Sequence, residues 1–217
     1  MLRRTSRTAF GIKGKKMKIK ICGLTNKKEA EYLNANQVNF AGMVLFFPKS
    51  KRCITIEQAK NIMSALNKEI QKVAVVVEPS MEQIQEIEQA GFDYIQIHGK
   101  VQEELLEQVK LPILKAFNIK DMKEYEGYHK NPKIAGYVFD AQEPGSGKTF
   151  DWSLVKHIPR DDKMLFLAGG LHPDNVQEAI NFVKPDGVDV SSGVEFEDKL
   201  GKDEEKIKRF VKQVKMM

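Results

Sequence analysis

The chain has 217 residues, 41% of them hydrophobic and 30% charged, enough for one sizeable buried core and unlike a disordered or collagen-like composition. Its formal charge of +5 is smaller than the six basic residues of segment 1–16 (Arg3, Arg4, Arg7, Lys13, Lys15, Lys16), which holds no acid; the remainder is therefore one charge negative and offers no basic face to nucleic acid. No apolar run approaches the ~20 residues that cross a bilayer, so no membrane partner is expected.

Segment 1–16 lacks the apolar centre of a secretory signal. It reads as a basic, disordered extension ahead of a catalytic domain at 17–217, with Met17 as the functional start of a cytoplasmic protein. Its Arg, Ser and Thr content also fits the alternative of an organelle-targeting segment. Two cysteines, Cys22 and Cys53, make no disulfide framework and suit a reducing compartment.

From Lys18 onward strands and helices alternate. The pattern predicts strands near 18–22, 39–46, 73–77, 93–97, 112–116, 134–140, 163–168 and 186–190. Helices are predicted near 26–35, 56–69, 81–90, 101–109, 120–127, 152–156, 173–183 and 202–215. Thr55-x-x-Gln58 and Ser80-x-x-Gln83 match capping boxes, Gly91 follows the third helix, and Pro173 suits a first helical turn. Continuously apolar strands such as Val73–Val77 belong in a sheet buried on both faces. An open doubly wound sheet shares this alternation. Eight strand–helix units favour the α/β class with a single (β/α)8 TIM barrel.

In that barrel the strand C-termini form the mouth. The first strand delivers Cys22, a thiol that acts as a base when ionised or simply packs; a base role requires a site that favours the thiolate. After the second strand comes Phe47-Pro48-Lys49-Ser50-Lys51-Arg52. Here Arg52 is suited to clamp a carboxylate, while Lys49 and Lys51 read as solvated surface charges and Cys53 as packing. His98 ends the fourth strand; it has no second ligand at metal spacing and reads as structural. Asp140 ends the sixth strand, as a general acid or as a loop cap. The following Gly145-Ser146-Gly147-Lys148-Thr149 is no P-loop, because Gln142 stands where the first glycine belongs. It suits a mobile glycine loop over a phosphosugar. Strands seven and eight end in Gly169-Gly170 and Ser191-Ser192-Gly193. Two donor-rich loops in succession at these strand ends are expected to bind a phosphate dianion.

These segments, in order, resemble the phosphoribosylanthranilate isomerase family of tryptophan biosynthesis. The resemblance rests on Lys20-Ile21-Cys22-Gly23-Leu24-Thr25, Phe47-Pro48-Lys49-Ser50-x-Arg52, Gln96-Ile97-His98-Gly99 and Asp140 with Gly145 to Trp152. It continues through Ala168-Gly169-Gly170-Leu171 and Asp189 to Glu195, so that it spans about residues 18–212. It implies an Amadori rearrangement of N-(5-phosphoribosyl)anthranilate with Cys22 as general base and Asp140 as general acid. It further implies Arg52 on the substrate carboxylate and Asp189 near the anthranilate amine. Phosphate contacts fall at Gly169, Gly170, Ser191 and Ser192, with Gly145 and Gly147 nearby. The partner is a small phosphoribosyl substrate, no metal or organic cofactor is required, and a monomer or homodimer is expected. The sequence departs from the family pattern at Pro144, Lys51, Cys53 and Glu78.

Three rivals remain in view. An epimerase on this fold requires metal-binding histidines. An indole-glycerol-phosphate synthase requires lysines at strand ends, for which only Lys115 is a candidate. A sensor or scaffold barrel needs neither Cys22 nor Asp140.

Overall fold

A computed structural model describes residues 16–118, 124–140, 151–156, 158 and 160–216. The strands are β1 (Lys18–Cys22), β2 (Phe40–Leu45), β3 (Cys53–Ile54), β4 (Gln71–Val77), β5 (Tyr94–His98), β6 (Ile113–Asn118), β7 (Ile134–Asp140), β8 (Met164–Leu167) and β9 (Gly187–Val190). The helices are α1 (Lys27–Asn36), α2 (Ile56–Met63), α3 (Met81–Ala90), α4 (Glu103–Gln108), α5 (Tyr125–Tyr128), α6 (Ser153–Lys156), α7 (Val176–Val183) and α8 (Glu204–Lys215). All strand pairings are parallel, and β1 pairs with both β9 and β2. The sheet therefore closes into an eight-stranded barrel, and the open doubly wound alternative falls.

Period-two alternation divides each strand's side chains between two cores. Phe40, Val73, Val75, Leu114, Ala116, Val138, Phe166 and Ala168 fill the barrel interior. Ile19, Ile21, Ile95, Ile97, Phe117, Phe139, Val188 and Val190 join the larger core that includes the buried faces of the helices. Both capping boxes are formed, with Thr55 and Ser80 accepting from the backbone N–H of Gln58 and Gln83. Gly91 closes α3 in the left-handed region at φ 88°.

Several boundaries differ from the sequence pattern. The short β3 extends the sheet beside β2, pairing Cys53 with Val44 in a stretch read as loop. Helix α2 stops at Met63, before a tight turn in which Ser64 Oγ donates to the Asn61 carbonyl. Helix α7 starts at Val176 rather than at Pro173. The side chain of Asn175 makes the difference: its Oδ1 accepts from His172 N–H and its Nδ2 donates to the Gly170 carbonyl, holding residues 170–175 as a turn. The predicted helix over 120–127 lies partly outside the described residues; its described portion is α5.

Candidate active site

A cavity of about 700 Å³ opens at the C-terminal ends of the barrel strands. Its lining brings together Cys22, Arg52, Asp140, Gly169, Gly170, Asp189, Ser191 and Ser192. Gly145, Gly147 and Pro144 lie outside the described residues.

The floor is a charged group inside the barrel. Lys20 and Asp189 are register partners on β1 and β9, and both point inward. Lys20 Nζ donates to Asp189 Oδ2 at 2.9 Å, and the lysine is wholly buried. Burial works against the charge of Lys20, but the Asp189 carboxylate and the neighbouring Cys22 outweigh it and hold its pKa above the ordinary value. Burial pushes the Asp189 carboxyl up, opposed by Lys20. The 2.9 Å contact keeps the two as ammonium and carboxylate. The second oxygen of Asp189, Oδ1, is buried in the cavity wall with no hydrogen-bond partner among the described residues.

Cys22 lies at the top of β1, two residues above Lys20, and pairs with Gly42 of β2. The surroundings of the thiol pull in both directions. Burial pushes the thiol up, and the negative Asp189 adds to it, while Lys20 and Lys202 pull the other way. Asp140 ends β7, paired with Asn118 of β6. In the observed order β1 and β7 are three strand steps apart through β9 and β8, and the strand directly opposite β1 is β6. That opposite strand contributes Asn118, which lines the cavity and whose buried Oδ1 has no partner among the described residues.

A second charged group stands on the rim. Arg52 gives Glu195 a two-pronged bond, Nε to Oε1 and a terminal nitrogen to Oε2 at 3.0 Å. Lys51 Nζ lies 3.0 Å from the same Oε2, and Lys202 Nζ lies 2.9 Å from Oε1. Burial alone would raise the Glu195 pKa, but the Arg52 bonds and the charge and bond of Lys202, with help from Lys51, pull it down to about 2. Lys202 Nζ also reaches the carbonyl and the hydroxyl of Ser191, each at 3.2 Å. Ser191 Oγ in turn donates to the Cys22 carbonyl at 2.9 Å. Lys49 and Lys51 are exposed, as surface charges should be, but both also line the cavity, and Lys51 pairs with Glu195 while 61% exposed. Cys53 has a packing role with a polar element, its Sγ accepting from Phe47 N–H at 3.3 Å.

The two small-residue loops meet as one surface. Gly169 and Gly170 have φ of 80° and 65°, a region open to glycine at low cost. Ser192 begins a single 3-10 turn, Ser192–Val194. Within it, a Cβ on Gly193 would lie 2.0 Å from the Leu171 carbonyl oxygen. Only glycine lets the backbones of the two loops come this close.

His98 behaves as a structural group. Its pKa falls to about 3 through burial and the nearby charges of Lys115 and Lys20, so the ring is neutral. Its Nε2 is 2.9 Å from Gln96 Nε2. Lys115 does not line the cavity. Its Nζ donates to the Ala116 carbonyl and lies 4.5 Å from the Phe117 ring centre, on the helix side of the sheet. The synthase rival thereby loses its lysine. Among the described residues, no group of three or more His, Cys, Asp and Glu is placed to hold a metal. Nor is any helix there long and apolar enough to cross a membrane.

Glu195, Lys202, Lys20, Gln96 and Asn118 were missed as site components. Period-two counting from Cys22 and His98 does place Lys20 and Gln96 on the inner face. No local spacing announces that Lys202 folds back onto Glu195.

A closed parallel barrel with this mouth defines a (β/α)8 enzyme whose small-residue loops follow its last two strands. The chain matches the family model described as N-(5'phosphoribosyl)anthranilate (PRA) isomerase over residues 19–213. It is 41% identical over 203 residues to N-(5'-phosphoribosyl)anthranilate isomerase of Aquifex aeolicus, covering 92% of this chain and 98% of that one. The crystal structure of the Thermotoga maritima phosphoribosyl anthranilate isomerase superposes with a TM-score of 0.81 at 35% identity, covering 93% of this chain and all of that one. A phosphoribosyl anthranilate isomerase in complex with reduced 1-(o-carboxyphenylamino)-1-deoxyribulose 5-phosphate superposes at 0.77 with 34% identity, covering 93% of this chain and all of that one. The chain belongs to the N-(5'-phosphoribosyl)anthranilate isomerase family.

Proposed function

We propose that the chain isomerises N-(5'-phosphoribosyl)anthranilate to 1-(2-carboxyphenylamino)-1-deoxyribulose 5-phosphate in tryptophan biosynthesis, by general acid–base catalysis. The carrying observation is that one cavity gathers a thiol, a carboxyl group, a carboxylate-binding arginine and two small-residue loops. Asp140 gives a proton to the furanose oxygen as the ring opens. The resulting iminium acidifies the neighbouring sugar C–H. Cys22, as thiolate, takes that proton, and the enolamine relaxes to the ketone. Arg52 receives the anthranilate carboxylate, which competes with Glu195 for the guanidinium fork. Asp189 turns its unpartnered Oδ1 toward the anthranilate amine. Gly169, Gly170, Ser191 and Ser192 bind the phosphate, with Gly145 and Gly147 beside them. Every step is a proton transfer, so the scheme needs no cofactor.

Residues 17–217 form the catalytic domain in this reading, and residues 1–16 lie outside it. The enzyme works in the cytoplasm, where both free thiols stay reduced, as a monomer or homodimer.

The test is steady-state turnover of freshly generated phosphoribosylanthranilate, followed by loss of anthranilate fluorescence with and without chelator. Chelator-insensitive turnover supports the scheme. Tight binding of the product analogue without turnover would leave a binding barrel instead.

A further inference from the structure

A base at Cys22 needs a thiolate, yet burial favours the thiol. Something on the protein must make ionisation accessible. Around the sulfur stand Lys20 on its own strand, Asp189 on β9 and Lys202 just ahead of α8, with Asp140 and the neutral His98 elsewhere in the cavity wall. Of the two lysines, Lys202 is committed to Glu195 and Ser191. Lys20 is the one whose charge pulls harder on the thiol.

The space these two groups share is made by the neighbouring strand. A Cβ at Gly42 would lie 2.9 Å from Cys22 Sγ and 3.0 Å from Lys20 Nζ. Sulfur and ammonium therefore converge on the one point where β2 carries no side chain. Asp189 Oδ2 fixes the other side of the ammonium at 2.9 Å. Lys20 is wholly buried and, unlike Cys22 and Asp189, does not line the cavity.

We propose that Lys20 is the counter-ion of the Cys22 thiolate, a positioning residue whose ammonium, fixed by Asp189 and by the space beside Gly42, makes this thiol ionisable inside the barrel. Ionisation sends the thiol proton to water at the open mouth and leaves a thiolate beside an ammonium. Lys20 keeps its three protons throughout. In turnover the substrate C–H proton passes to sulfur and regenerates the thiol. The inference builds on the reading of Cys22 as base, but its test does not depend on activity.

The experiment follows alkylation of Cys22 by iodoacetamide between pH 6 and 10, read by mass spectrometry on the peptide carrying it, with Cys53 as the internal control in the same protein. Lys20→Met is expected to slow Cys22 alkylation at pH 8 by about tenfold and to move the half-rate pH up by about one unit. Asp189→Asn is expected to move it down, because a negative neighbour is lost. Lys20→Met combined with Asp189→Asn leaves no buried charge stranded and should stay slower than Asp189→Asn alone. Opposite shifts from the two single variants separate electrostatics from loosened packing, which would speed both. An unmoved Lys20→Met profile, or shifts in the same direction, overturns the proposal. Should the shifts appear as expected while Cys22→Ser keeps full turnover, Lys20 still tunes the thiol and it is the base assignment that fails.

Discussion

Two charged groups serve one pocket and are built on opposite plans. Inside the barrel, Lys20 and Asp189 are paired one to one on adjacent strands, buried and held by the sheet. On the rim, the single carboxylate of Glu195 gathers Arg52, Lys51 and Lys202, all from segments outside the barrel strands. The interior pair balances its charge because an uncompensated ion there has no water to turn to. The rim keeps a surplus of positive charge, with Lys51 reaching into solvent, which suits a surface that attracts and releases a ligand carrying both a phosphate and a carboxylate. A rigid, neutralised floor can set the ionisation of a reacting group; a cationic, exchangeable rim can trade an internal carboxylate for one from outside.

The largest effects should come from the reacting groups between the two. Asp140→Asn is expected to lower kcat by about 10²–10⁴-fold while the product analogue still binds. Near-normal turnover would remove Asp140 as the acid. Cys22→Ser should cost a similar factor in kcat, and a mild effect would move the base elsewhere. At the rim the loss should fall on binding. Arg52→Ala is expected to raise KM about 10–100-fold with a smaller change in kcat, the loss of a charge-assisted two-pronged bond. An unchanged KM would place the substrate carboxylate on other donors. Glu195→Gln keeps the shape but halves the anchoring of the fork, and a KM rise of about threefold to tenfold is expected. If KM falls instead, Glu195 acts as a competitor more than as an anchor.

The smallest effects are on stability, and they separate the two groups by pH. Glu195 has its pKa depressed to about 2, so its contribution is complete above the ordinary carboxylate value and is lost as pH falls toward 2. His98, beside the interior pair, is also depressed, to about 3. The unfolded chain then binds the proton first, so folding stability declines as pH falls from about 6.5 toward 3, by about 1–2 kcal/mol at pH 5. Urea melts should show the decline between pH 6.5 and 5 flattened in His98→Gln, and that below pH 4.5 flattened in Glu195→Gln. A decline identical in both variants would mean that other groups govern the acid limb.

Much of the barrel was legible because its signals are local. Apolar runs of strand length, the capping boxes at Thr55 and Ser80, and Gly91 at a helix end each act within a few residues. Boundaries failed where a side chain reached further, as with Asn175 holding the turn before α7, or where pairing arose from contact alone, as with Cys53 beside Val44. Of the residues lining the mouth, Cys22 and Asp140 were legible from position at strand ends, Arg52 from its loop, and Asp189 only through the family resemblance. Their partners were not. Glu195 and Arg52 are 143 residues apart and Lys20 and Asp189 are 169 apart, so both contacts exist only once the barrel has closed. The desolvation that pushes the Cys22 thiol up was not legible for the same reason, because it belongs to the folded pocket and not to the sequence around the thiol.

The contact between Gly193 and the Leu171 carbonyl bears on how this barrel can be re-engineered. Loops of (β/α)8 barrels are often treated as exchangeable parts on a fixed frame. Here the loops after β8 and β9 are not two parts but one, fused at a backbone crossing with no room for a methyl group. A transplant of residues 168–172 from another barrel must bring its own counterpart to 191–195. Otherwise the graft meets a neighbour shaped for a different path, and the selectable unit for altering anion recognition is the pair.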